Sequence, residues 1–171
     1  MGLPDEVAVE VVVGQLLRQR GLTLSVAESC TGGLVSHRIT DVPGSSNYYH
    51  GAVTSYSNAI KERVLGVQHA TLARHGAVSK ETALEMAQGV RKLLETDIGL
   101  AVTGIAGPDG GTPDKPVGLV YIALAAPDGA CAERKLWADE RGESYNRSKN
   151  KALSAEAVLD LLARYLKDLL W

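Results

Sequence analysis

The sequence predicts an α/β fold: a three-layer α/β/α sandwich on a mixed, mostly parallel sheet that carries one antiparallel hairpin. Three observations predict it. Apolar residues switch repeatedly between helical and strand spacing, the pattern of strands alternating with crossover helices. Two apolar runs are separated only by Pro127-Asp128-Gly129, a hairpin signal that makes the sheet mixed. No internal repeat, long linker or low-complexity tract interrupts the chain. One domain over residues 1–171 is therefore expected, and 45% hydrophobic content gives it a sizeable core to bury.

The elements follow in order. Val9, Val12, Val13, Leu16 and Leu17 lie on one face of a helix over about residues 4–20, with Pro4 suited to its first turn and Gly21 to its stop. Leu22, Leu24 and Val26 alternate with Thr23, Ser25 and Ala27, which marks a strand. A second helix carries Leu34, Val35 and Ile39 and ends before the turn cluster Asp41-Val42-Pro43-Gly44. A short strand is expected over 51–56, followed by a helix capped by Ser57-Asn58 and holding Lys61, Val64 and Leu65. Ser79 caps a helix on which Ala83, Met86, Ala87, Val90, Leu93 and Leu94 share one face. Residues 98–103 read as a buried strand entering a loop dense in Gly and Pro. Residues 117–126 and 130–137 form the hairpin, and the last helix buries Val158, Leu161, Leu162, Tyr165 and Leu169.

Composition excludes several function classes. A net charge of −2 without a clustered basic run leaves no nucleic-acid footprint, and 5% aromatics provide few stacking platforms. Cys30 and Cys131 make no disulfide framework. The acidic start lacks a signal-peptide pattern, and no apolar run reaches the ~20 residues of a membrane span. A cytoplasmic location, without membrane or nucleic-acid partners, is expected.

Ligands of α/β domains gather where strands end and helices begin. Two segments have that form: Ser25-Val26-Ala27 into Glu28-Ser29-Cys30-Thr31-Gly32-Gly33, and Val102-Thr103 into Gly104-Ile105-Ala106-Gly107. In the first, backbone N–H groups and the helix dipole would favour an anionic oxygen, either a phosphate or a tetrahedral oxyanion. The same pattern also fits Ser29 or Thr31 as a simple N-cap. As a nucleophile, Ser29 needs a base. His37, His50, His69 and His75 show no partner pattern, and Lys61, followed by Glu62 and Arg63, fits a solvated helix face as well as a buried base. Cys30 competes as a thiol nucleophile or is a small buried side chain. The second segment lacks the Gly-Lys-Ser/Thr of a P-loop. Asp109 and Asp114 alone do not make a metal site, so no metal is expected.

Six motifs in register resemble the CinA C-terminal domain family, whose stand-alone members are nicotinamide-nucleotide amidases of the PncC type. They are Ala27 to Gly33, Pro43-Gly44-Ser45-Ser46, Tyr56-Ser57-Asn58 with Lys61, His75 to Ser79, Thr103 to Gly111, and Lys115 to Gly118. The resemblance covers about residues 5–165. It implies hydrolysis of nicotinamide mononucleotide to nicotinate mononucleotide and ammonia, with no cofactor, and a homo-oligomer. Carried over by position, it makes Ser29 the nucleophile, Lys61 the general base and Tyr56 a relaying or orienting hydroxyl. It implies a substrate site formed by Thr31, Gly32, Gly33, Ser46, Thr103, Gly104, Ala106, Gly107 and Arg141. The family's Gly-Asp-Arg stretch reads Asp139-Glu140-Arg141 here, and its second arginine is displaced, with Arg147 close by. The N-terminal nucleotide-hydrolysing domain of full-length CinA is not in this sequence, so no pyrophosphatase activity is expected. A non-catalytic nucleotide-binding or competence-associated module stays open as the alternative.

Overall fold

The computed structural model describes residues 7–170. Its first helix, α1 (Val9–Arg20), stops where expected, at Gly21 in the left-handed conformation, while the expected first turn at Pro4 lies outside the described residues. The other elements are β1 (Leu24–Glu28), α2 (Leu34–Thr40), β2 (Tyr49–Thr54), α3 (Asn58–Leu65), α4 (His69–His75), α5 (Lys80–Leu93), β3 (Ile98–Gly104), β4 (Leu119–Ala126), β5 (Gly129–Leu136) and α6 (Arg147–Leu166). Ser57 and Ser79 cap α3 and α5 through their hydroxyls, as their positions predict.

The sheet has the order β2-β1-β3-β4-β5. β1 pairs in parallel with β2 and β3; β4 is antiparallel to both its neighbours and makes the hairpin with β5. Helices α1, α2 and α6 pack on one face and α3, α4 and α5 on the other, which completes the three layers. The two faces differ in bulk. Leu24, Val26, Leu100, Val102, Ile122 and Leu124 meet α1, α2 and α6, whereas Ala27, Ala101, Ala123 and Ala125 meet α5. Small residues let α5 approach closely: a Cβ at Gly99 would lie 2.2 Å from the Ala87 carbonyl oxygen.

The strand marked by alternation at residues 22–27 forms, and every residue of β1 is buried because helices cover both sides. The segment after β3 opens no helix; it forms a loop to β4. The short helix α4 was not singled out in the sequence, having only Leu72 as a buried anchor. Among the described residues no helix is long and apolar enough to cross a membrane.

Candidate active site

Alternation along β1 separates two neighbouring side chains. Glu28 points with Leu24 and Val26 toward the α2 layer, and Ser29, at the end of the strand, meets α3 on the opposite side. The Ser29 N–H donates to the Val102 carbonyl at 2.9 Å, so the turn stays stitched to the sheet one residue beyond β1.

Lys61 reaches Ser29 from the first turns of α3. The Ser55 N–H donates to the Glu28 carbonyl at 2.8 Å, which draws the chain after β2 against the end of β1. Ser57 then starts the helix, and helical side chains lean toward the N-terminus. Lys61 Nζ thus donates to the Ser55 carbonyl at 2.6 Å and lies 3.1 Å from Ser29 Oγ. Lys61 is 1% exposed and Ser29 8%. No acid pairs with the amine among the described residues, and burial lowers its pKa below the ordinary lysine value. The solvated face suggested by Glu62 and Arg63 is thereby overturned: Lys61 is one of the largest fully buried side chains.

Ser29 and Lys61 form the floor of a cavity of about 260 Å³, near the low end of small-molecule sites. Tyr56, Thr103, Gly104, Ala106, Gly107, Asp109 and Arg147 also line it. The Thr103 hydroxyl donates to the Ala77 carbonyl at 2.8 Å and fastens one wall. Arg147, in the first turn of α6, donates to the Gly107 carbonyl at 2.7 Å and to the Tyr56 hydroxyl at 2.9 Å. Asn150 Nδ2 donates to the Ala106 carbonyl at 3.0 Å from one turn further along α6. The loop after β3 is therefore held in place by α6.

Several expected site residues lie elsewhere. Arg141 is exposed in a turn, where Asp139 accepts its N–H, and it does not line the cavity; the arginine there is Arg147. The sequence placed Arg147 near the displaced second arginine, but only the start of α6, capped by Asn146, shows that it enters the cavity. Ser46 is exposed in the 3-10 turn Ser45–Asn47 ahead of β2. Tyr49 pairs with Leu24 and Thr54 with Glu28, so Ser46 sits at the opposite end of the parallel pair from Ser29.

Thr31, Gly32 and Gly33 flank the cavity without lining it. Their donors are largely committed. The Gly32 N–H donates to the Ser29 carbonyl, and the Gly33 N–H and Thr31 hydroxyl donate to the Glu28 carboxylate. Gly33, with φ of 103°, adopts a backbone that other residues rarely take. Ser29 is not the cap of α2, and Tyr56 makes no direct hydrogen bond to Ser29 or Lys61. None of the four histidines lines the cavity, which removes a Ser-His pairing there. Burial pushes the Cys30 thiol up to about 12, so it is a poor thiolate source.

A family model described as the CinA C-terminal domain matches residues 6–166. The chain belongs to the CinA C-terminal domain family. A Halothermothrix orenii protein named for competence-damage induction is 53% identical over 163 residues, covering 95% of this chain and 38% of that protein. A CinA-like protein of Salinibacter ruber is 47% identical over 161 residues, covering 94% and 38%. The chain thus spans little more than a third of the length of these relatives. Among solved structures, a competence/damage inducible protein of Agrobacterium tumefaciens is 35% identical, with a TM-score of 0.85 and coverage of 98% and 99%. A CinA superfamily protein of Klebsiella pneumoniae has a TM-score of 0.87 at 29% identity, covering 94% and 96%.

Proposed function

We propose that this chain is a nicotinamide-nucleotide amidase, converting nicotinamide mononucleotide to nicotinate mononucleotide and ammonia. One observation carries the reading. A buried lysine with no acid partner and a lowered pKa lies 3.1 Å from a serine hydroxyl at the floor of a cavity. A solvated lysine is a weak base near neutral pH because its proton is held to ~10.4. Burial removes that obstacle.

In the neutral state Lys61 accepts the Ser29 hydroxyl proton as Oγ attacks the carboxamide carbon. Negative charge then builds on the former carbonyl oxygen. Lys61, now protonated, passes its proton to the leaving nitrogen, and ammonia departs. The acyl group remains on Ser29 until water attacks, giving its proton to Lys61 and then restoring the serine hydroxyl. The exposed end of the cavity, at Tyr56 and Arg147, suits the nucleotide. Arg147 supplies positive charge for a phosphate, and because it donates to the Tyr56 oxygen, the Tyr56 O–H proton stays free for the substrate.

The test is ammonia release from nicotinamide mononucleotide by the wild-type chain and by Ser29→Ala and Lys61→Ala. Release abolished in both variants supports the reading. Undiminished release in either removes that residue from the mechanism.

A further inference from the structure

We propose that Glu28 is the positioning residue of this site, with its side chain placing Ser29 and its main chain placing Lys61. The proposal rests on the reading of Ser29 as a nucleophile. Glu28 is 0% exposed, yet pairs with no cation among the described residues. Its carboxylate instead takes four donors. Oε2 accepts from the Thr31 hydroxyl at 2.6 Å, the Gly33 N–H at 3.0 Å and the Val35 N–H at 3.1 Å, and Oε1 accepts from the Ser36 N–H at 2.9 Å. These occupy the roughly four lone-pair positions a carboxylate offers.

The arrangement answers a local need. The first N–H groups of α2 lack helical partners, and its N-cap, Gly33, has no side chain to supply one. Glu28 supplies it from the strand. The turn between them is then tied at three points: Ser29 N–H to β3, and Thr31 and Gly33 to the carboxylate. The Glu28 carbonyl meanwhile accepts the Ser55 N–H, and the Ser55 carbonyl anchors Lys61 Nζ. One residue thus fixes both partners of the 3.1 Å pair. Glutamine is no substitute. With its oxygen at the three-donor position, its NH2 group would face the Ser36 N–H, donor against donor.

The experiment compares wild type, Glu28→Gln and the core variant Val158→Ala as a destabilised control remote from the cavity, at a temperature where all three are folded. Two rates are read. One is ammonia release from nicotinamide mononucleotide, resolved into kcat and KM. The other is labelling of Ser29 by a fluorophosphonate, which needs no nucleotide. Glu28→Gln is expected to lower kcat and the labelling rate by about 10- to 100-fold with KM held within about threefold, because a nucleophile displaced by a fraction of an ångström loses its attack geometry. Val158→Ala should lower the thermal midpoint and leave both rates in place. Should Glu28→Gln not fold, Thr31→Val removes one of the four bonds and should lower both rates by about 3- to 10-fold. Wild-type rates in Glu28→Gln, or a change in KM alone, would overturn the proposal. Wild-type protein that labels at Ser29 without releasing ammonia sinks the amidase reading and leaves Glu28 judged by labelling. Wild-type protein that does neither overturns both.

Discussion

The Ser29–Lys61 end of the cavity is dry, and the Tyr56–Arg147 end is wet. Lys61 is 1% exposed and Tyr56 62%. Burial at the inner end makes a basic amine available, because desolvation disfavours its charged form. At the outer end the Arg147 guanidinium donates to the Gly107 carbonyl and the Tyr56 hydroxyl. The difference teaches how one small cavity can hold two cationic side chains in different roles. One is stripped of water, and the other stays near it; in the proposed amidase the first would give up its proton and the second would meet the substrate phosphate.

The largest expected effect breaks the inner end. Ser29→Ala and Lys61→Met should each lower ammonia release by about 1,000-fold or more, since nucleophile and base act as a unit. Their combination should lose little more than either alone. Additive losses in that double variant would show that the two residues do not cooperate.

At the outer end the losses should be smaller and of another kind. Arg147→Ala and Tyr56→Phe are expected to raise KM by about 10-fold, with a smaller effect on kcat, as removal of uniform binding does. A kcat loss equal to that of Lys61→Met would erase the distinction between the two ends.

Acidity sharpens the comparison further. Between the lowered Lys61 pKa and the ordinary lysine value near 10.5, the unfolded chain binds more protons than the folded one. Wild-type stability should therefore rise with pH through that window, and below it the full cost of a buried ammonium is present. Thermal midpoints of wild type and Lys61→Met, measured across pH, should converge toward the alkaline side. Turnover should rise as pH passes the folded Lys61 value. A pH-independent gap in midpoint would mean that Lys61 titrates like an exposed lysine.

The smallest effect is expected at Cys30, which lines the inner end but keeps its proton. Cys30→Ala should leave turnover within about twofold and cost roughly 1 kcal/mol of stability. Turnover lost in that variant would reopen a thiol mechanism.

How much of this was legible follows residue by residue. The caps Ser57 and Ser79 and the hairpin turn were readable because their signals are local: a hydroxyl three residues from an N–H, and Pro127-Asp128-Gly129 between two apolar runs. The full burial of β1 was not, since alternation reports only which residues share a face. Arg141 was a reasonable match by motif. Arg147 could be placed only once Asn146 was seen to start α6 beside the loop after β3. Ser46 entered the expected site through the family resemblance, and the direction of β2 removes it.

The sequence by itself determined the alternation of elements and the mixed sheet, because periodicity, caps and turns are short-range properties of the chain, and the family resemblance rather than periodicity marked Ser29, Tyr56 and Lys61. Tertiary structure alone decided that Lys61 is buried rather than solvated, that it reaches Ser29, and that Glu28 holds the amino end of α2. The reason is physical. Desolvation and hydrogen-bond partnership depend on which distant segments close over a side chain, and here those segments come from β1, β2 and α3 together.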